Sequence, residues 1–287
     1  MDPVLVGVPW DATTLGRKGA RLAPDAIREE LRRRLHPYDA ATGRTVRWAD
    51  AGDAAVGVTH DEMLEGVSAA VSERWKAGAR PVIGFMGGDH AVAYAGIRAV
   101  RPYFPDLMVL TLDSHLDLRP RDTGPSNGNW ALRMIEDFRR PLLEFGRGRF
   151  SNDEGLFETA RKGGVRVVPA SDLRRRGVSQ AVRSVESATE TGRDVYLSID
   201  IDVVHQAAAP GATAPSVDGL AVEDLLDLVD WAAQRFRVRA FDICEVNPPV
   251  DPTGVTARLA GYAALSLLSR LTPERADPPT DAPGSHT

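Results

Sequence analysis

The chain of 287 residues contains one cysteine, Cys244. A single thiol closes no internal disulfide, and it cannot build a thiolate-rich structural zinc site. Long hydrophobic runs are missing too: none approaches the ~18 residues that span a bilayer. The opening MDPVLVGVPW has no basic flank and no extended apolar core, so it does not read as a secretory signal. A cytoplasmic protein with no membrane partner is expected. Excess positive charge is absent as well, since Lys+Arg 35 against Asp+Glu 40 leaves a net charge of -5 with the arginines dispersed. That balance gives no electrostatic basis for binding nucleic acid. The chain also lacks a G-x-G-x-x-G loop and a Walker sequence, which argues against dinucleotide and P-loop chemistry.

What is present is a hydrophobic content of 43% and a charged content of 26%, the proportions of a soluble globular protein. Short apolar runs rich in β-branched residues (Val4 to Val8, Pro81 to Phe85, Leu107 to Leu112, Leu142 to Phe145, Val165 to Val168, Val195 to Ile201, Val238 to Ile243) alternate with stretches of helical period. The helices are expected near Pro24 to Arg34, Asp61 to Ala77, Ala91 to Val100, Asp153 to Lys162, Val178 to Thr189, Ala221 to Phe236 and Ala257 to Leu271. Strand then helix, repeated along the chain, predicts a three-layer αβα domain with a central parallel sheet. No linker interrupts the alternation, so residues 1–271 read as one α/β domain. Residues 272–287, with four prolines and almost no large apolar side chain, read as a disordered tail. Ligands of such a sheet bind beyond the carboxyl ends of its strands, and the chemistry is expected there.

Three places fit. The run Leu107 to Leu112 flows into Asp113-Ser114-His115-Leu116-Asp117; while the strand stays extended, its period of two puts Asp113, His115 and Asp117 on one side. The run from Val195 ends in Asp200-Ile201-Asp202, and Gly87-Gly88-Asp89-His90 follows Pro81 to Phe85. Alone, an Asp at a strand end is a cap or turn residue, and Gly-Gly-Asp-His is a simple turn. Together they place two imidazoles and four carboxylates at strand ends of one sheet, where unpaired charge is costly and a cation resolves the conflict. A carboxylate-rich set without thiolate suits a hard or intermediate divalent ion such as Mn²⁺, and six ligands suit a pair of ions ~3.5 to 4 Å apart sharing a water. Glu245, after Val238 to Ile243, faces the same crevice as a candidate carboxylate for a cationic substrate, or else caps a helix. Cys244 reads as a buried small side chain, because nothing supplies it with a base.

These motifs resemble those of the ureohydrolases, the family of arginase, agmatinase and formimidoylglutamase. The resemblance covers nearly the whole chain, from Gly7-Val8-Pro9 and Pro24-Asp25-Ala26-Ile27-Arg28 to about Leu271. It implies a single domain with an eight-stranded sheet, assembled as a trimer or hexamer, and two manganese ions per subunit. One ion would be held by His90, Asp113, Asp117 and Asp200, the other by Asp113, His115, Asp200 and Asp202. Asp117 would hydrogen-bond the bridging hydroxide and pass a proton to the leaving amine. Glu245, in Glu-Val-Asn-Pro, would grip the amidine or guanidinium group of a small-molecule substrate.

The departures bear on the substrate. Asn127 stands where arginases and agmatinases carry a proton-shuttling His, which formimidoylglutamases also lack, and residues 251–260 are similar to the formimidoylglutamase C-terminal pattern. N-formimidoyl-L-glutamate bears two carboxylates, and Arg119, Arg121 and Arg133 flank the variable segment that holds Asn127; they are read either as its carboxylate contacts or as solvated charges. Asn129-Trp130 replaces a small residue and proline, and His205 replaces Asp. The expected reaction is hydrolysis of that amidine to glutamate and formamide. Hydrolysis of a guanidino compound to urea, a catalytically silent metal-binding paralogue and a dinuclear phosphoesterase stay open.

Overall fold

The computed structural model describes residues 1–187 and 189–272. Apart from Thr272, the expected disordered tail lies outside the described residues. Strands and helices alternate from β1 (Val4–Gly7) through α1 (Ala23–Arg33), a small hairpin of β2 (Tyr38–Asp39) and β3 (Arg44–Thr45), β4 (Ala49–Asp53), α2 (His60–Arg74), β5 (Ile83–Met86) and α3 (Ala91–Val100) to β6 (Met108–Leu112). The chain continues with α4 (Trp130–Phe138), β7 (Leu142–Arg147), α5 (Glu154–Lys162), β8 (Arg166–Pro169), and the short helices α6 (Ala170–Arg176), α7 (Val178–Ala181) and α8 (Arg183–Glu186). It closes with β9 (Asp194–Asp200), α9 (Val222–Arg235), β10 (Arg237–Cys244) and α10 (Val255–Leu271).

One 8-stranded sheet, ordered β4-β1-β5-β10-β9-β6-β7-β8, forms the centre of a single α/β domain, and every pairing in it is parallel. Its inner strands are buried on both faces, which is why they are continuous apolar runs. Successive side chains serve opposite cores. Leu110, Leu112, Leu197 and Ile199 join the cluster that packs under α1, α9 and α10. Val109 and Tyr196 join the one that packs under α2, α3 and α4.

The structure adds elements that the apolar periodicity did not show. Ala49–Asp53 pairs only with β1 at the sheet edge and is mostly exposed. Its ADAGD sequence offers no branched apolar side chain, so only backbone pairing makes it a strand. Helix α4 lies in the segment treated as variable, and Val178 to Thr189 contains two short helices instead of one.

The chain passes from β5 to β6 across the strands β10 and β9, which are supplied later. Connections leave the sheet in opposite directions from this point, so loops part above β5, β10, β9 and β6 and leave a crevice at their carboxyl ends.

Candidate metal centre and active site

Each of these four central strands delivers part of one cluster. After β5 the backbone passes so close to the loop from β1 that a Cβ on Gly88 would lie 1.6 Å from the Trp10 carbonyl oxygen. Only glycine fits, and the next amide, of Asp89, donates to that same carbonyl at 2.8 Å. This approach sets His90 at the start of α3 with its side chain 1% exposed. Its Nδ1 lies 3.1 Å from Asp113 Oδ2, 3.0 Å from Asp117 Oδ2 and 3.2 Å from Asp200 Oδ2. His115 Nδ1 lies 2.9 Å from Asp202 Oδ2 and 3.7 Å from Asp113 Oδ1. The three segments, far apart in sequence, therefore meet.

They do so differently from a continued strand. β6 ends at Leu112, and Asp113 to Asp117 is a loop whose last residue has φ 48. Asp113 Oδ1 accepts the His115 amide at 2.6 Å, which turns the backbone so that His115 reaches Asp202 while Asp117 reaches His90. Non-glycine residues with positive φ are uncommon, and three occur among the described residues: Arg139, Asp117 and Glu245 (φ 62). Two of these are the residues to which the motifs assign chemistry, as expected where packing holds strain at a functional site.

The donor atoms of His90, Asp113 and Asp117 lie within 4.8 Å of one another, as do those of Asp113, His115 and Asp202, so Asp113 belongs to both groups. His90 Nδ1 and Asp113 Oδ2 are buried without a hydrogen-bond partner despite their proximity. Side chains aimed at a common centre without hydrogen-bond alignment, rich in carboxylate and free of thiolate, fit divalent ions. The charge balance agrees. Burial and the neighbouring Asp113 push Asp117 up to about 6. Burial, then Asp202 and Asp113, push Asp200 well above the carboxylate range. Burial also works to raise Asp113, but the adjacent His115 and His90 and their charges hold it well below. Carboxylates crowded to this degree repel one another unless cations sit among them.

Behind the cluster, His90 Nε2 lies 2.9 Å from Ser198 Oγ, and Ser198 donates to Asp242 Oδ1 at 2.9 Å. This chain orients the imidazole from its far side. Cys244 and Asp242 also stand near His90. Burial holds the thiol protonated by pushing its pKa well up, so Cys244 fills space there. Glu144, wholly buried with both oxygens unpartnered, is raised well above its ordinary value by burial and by Asp113 and Asp117.

Glu245 forms the wall beside this cluster. Its Oε1 accepts the His90 amide at 2.7 Å and Asn127 Nδ2 at 2.9 Å, while Oε2 is buried without a partner. Arg119 packs along Gly128, next to Asn127. Arg133 lies with its guanidinium 5.4 Å from the Tyr94 ring centre, and Arg121 pairs with Glu136 and Asp137. Among the described contacts neither reaches the cluster. His205 accepts the Ala207 amide within a turn. Gly124-Pro125-Ser126-Asn127-Gly128 has the spacing of a serine-hydrolase elbow, but it lies in a loop well beyond β6, and the Ser126 amide donates to Asn129 Oδ1. No histidine contacts that serine among the described residues.

Two contributors were not recognised from sequence. Asp89 accepts both the amide and the hydroxyl of Thr13, clamping the loop after β1 over the site, and burial followed by the nearby Glu245 lifts it to about 8. Trp130 donates its indole N–H to Asp117 Oδ2 at 2.8 Å and packs its ring 4.7 Å from that of His90. The Gly-Gly-Asp-His motif contained a signal for the first; the sequence marked Trp130 only as a departure from the family pattern, with no pointer to its contact with Asp117.

This sheet and its two linked donor groups fit a metal-assisted hydrolase, and the similarity to known proteins makes it one acting on carbon–nitrogen bonds of linear amidines. The chain matches the arginase family over residues 1–269, and it belongs to that family. It is 34% identical to the formimidoylglutamase of Halobacterium salinarum over 274 residues, 93% of this chain and 87% of that one. The fold matches the proclavaminate amidino hydrolase of Streptomyces clavuligerus with TM-score 0.85 and 31% identity, covering 94% of this chain and 91% of that one. It also matches a Mn²⁺-containing formiminoglutamase of Trypanosoma cruzi with TM-score 0.81 and 25% identity, covering 95% of this chain and 94% of that one. Among the described residues no helix is long and apolar enough to cross a membrane.

Proposed function

We propose that this protein is a binuclear manganese hydrolase that splits N-formimidoyl-L-glutamate into glutamate and formamide. The observation that carries the reading is the pair of donor groups joined through Asp113 beside Glu245, whose free oxygen is buried at the same crevice. Manganese is supported by the donor chemistry and by the Mn²⁺ in the similar formiminoglutamase structure. His90, Asp113, Asp117 and Asp200 would hold one ion, and Asp113, His115, Asp200 and Asp202 the other.

When bound, the ions supply a water acidic enough to attack an amidine carbon at neutral pH. The rest is done by the chain. Glu245 Oε2 receives an N–H of the cationic amidine, while Asn127 and the His90 amide fix Oε1 and stop the carboxylate from turning away. Asp117 takes up the proton released in the attack and returns it to the leaving amine nitrogen. Trp130 keeps one oxygen of Asp117 in place during this transfer. Asn127 cannot titrate, so no second shuttle stands at that position.

The likeness to an amidino hydrolase favours, as the alternative, a guanidino substrate that yields urea. Assaying the manganese-loaded protein for formamide from N-formimidoyl-L-glutamate and for urea from agmatine and arginine decides between them. Formamide without urea is expected; urea alone selects the alternative, and no product from any amidine contradicts the hydrolase.

A further inference from the structure

Many arginines in this protein are neutralised by carboxylates, as Arg28 is by Asp50 and Asp53, and Arg237 and Arg239 are by Asp194. Three others are not. Arg147, Arg149 and Arg174 have no carboxylate partner among the described residues, and Arg147 Nε is buried with no partner at all. They gather on one side of the metal centre. A cavity of about 550 Å³ is lined by His115 together with Arg149, Arg174 and Ser151, and a neighbouring one of about 400 Å³ by Arg147, Arg149 and Arg174. The imidazole that faces Asp113 and Asp202 therefore opens onto a pocket walled by guanidinium groups.

The cations are held in position. Arg174 Nη1 donates to the main-chain oxygens of Asp218 and Gly219, which leaves its other N–H groups to the cavity. Arg149 lies over the ring of Phe150, 4.9 Å from its centre. Asp218 also borders the cavity, but one of its oxygens accepts the Arg149 amide at 2.8 Å, and it is the one anion among the arginines that line the two cavities. A guanidinium fork held in this way matches a carboxylate with two parallel hydrogen bonds.

We infer that this cavity is the carboxylate-recognition half of the active site: Arg149 and Arg174, backed by Arg147, hold the acidic end of a substrate whose amidine carbon lies at the metal centre. The inference rests on the amidine reading above and assigns its substrate class as anionic amidines. Of the arginines flanking Asn127, which the sequence pattern had suggested for this task, Arg121 pairs with Asp137 and Arg133 lies over Tyr94, while Arg119 packs along Gly128; none of them lines this cavity. A neutral or cationic amidine would leave Arg149 and Arg174 unmatched, so the pocket selects by charge as well as by shape.

The test uses the full-length, manganese-loaded protein with Arg149→Gln and Arg174→Gln, singly and together, and Arg149→Lys. Three quantities are read: kcat and KM for N-formimidoyl-L-glutamate, kcat/KM for N-propylformamidine, and the calorimetric Kd of glutarate. Each lost guanidinium should raise KM and the glutarate Kd by about tenfold or more, because hydrogen bonds between charged groups are being removed. Turnover number and the reaction of the amidine without carboxylates should stay within about threefold of wild type, and Arg149→Lys should recover part of the affinity. Arg149 is exposed and anchors no other segment by its side chain, so Arg149→Gln remains informative if loss of Arg174 loosens the loop at Asp218. A double variant that binds glutarate and the anionic amidine as wild type does overturns the inference, as does a wild type that prefers N-propylformamidine. If no amidine reacts, the reading of the reaction fails, while the glutarate titration, which needs no turnover, still decides whether the anion site exists.

Discussion

Glu245 occupies a left-handed backbone conformation, with one oxygen tied to His90 and Asn127 and the other buried and free. Replacing it with Gln keeps the shape but offers an N–H to a cationic substrate. Glu245→Gln should therefore lower kcat/KM by about 10²-fold or more while the bound manganese stays stoichiometric, checked by steady-state kinetics beside metal analysis. Trp130→Phe removes a donor to Asp117 and leaves most of the packing on His90. Partners of metal ligands are typically worth about 10-fold to 100-fold in metal affinity, so Mn²⁺ binding measured by calorimetry should weaken by about tenfold with little change in melting temperature. The clustering of His90, His115 and the four aspartates was legible because acidic and imidazole side chains at the ends of buried apolar runs violate the usual composition of such strands. Trp130 was not legible: an aromatic residue after a polar loop is indistinguishable from a core residue until folding shows what its indole N–H meets.

Elements that carry their own apolar pattern were read almost to their ends, as with Ala91 to Val100 for α3. β4 was hidden because an edge strand needs only one partner and no apolar face. The loop after β6 was read as extended because alternation in sequence says nothing of where hydrogen bonding to neighbours stops. The entry to α10 shows what holds such elements: Asp251 Oδ2 accepts the Thr256 amide at 2.7 Å, and Oδ1 accepts both the amide and the hydroxyl of Thr253. Burial alone would raise Asp251, but the donors of Thr253 and Thr256 outweigh it and hold its pKa below the usual value. A depressed folded-state pKa contributes stability that is present above the unfolded value of about 3.9 and is lost as pH falls through the folded value. Asp251→Asn should thus cost about 1 kcal/mol near pH 7 by chemical denaturation, and the gap from wild type should close below about pH 4.

For the whole molecule, the four central strands β5, β10, β9 and β6 form the platform on which repelling carboxylates are assembled, and the alternation of strand and helix made that platform readable in advance. What it did not reveal was the division of labour around the crevice, with the clustered donors at the centre, Glu245 and Asn127 on one wall and guanidinium groups on another, since these walls come from loops whose paths depend on tertiary contacts. Ions that bind only the folded chain should stabilise all of it by mass action, about 2.7 kcal/mol at a hundredfold excess over Kd. Removal of metal by chelation should therefore lower the melting midpoint by several degrees, and Mn²⁺ should restore it where Mg²⁺ does so less well. The most direct measurement is anomalous diffraction at the manganese edge from crystals grown with Mn²⁺. Two peaks are predicted roughly 3.5 to 4 Å apart, one on each side of Asp113, with His90 on the first and His115 on the second. A single peak, or density away from Asp113, would contradict the two-ion account.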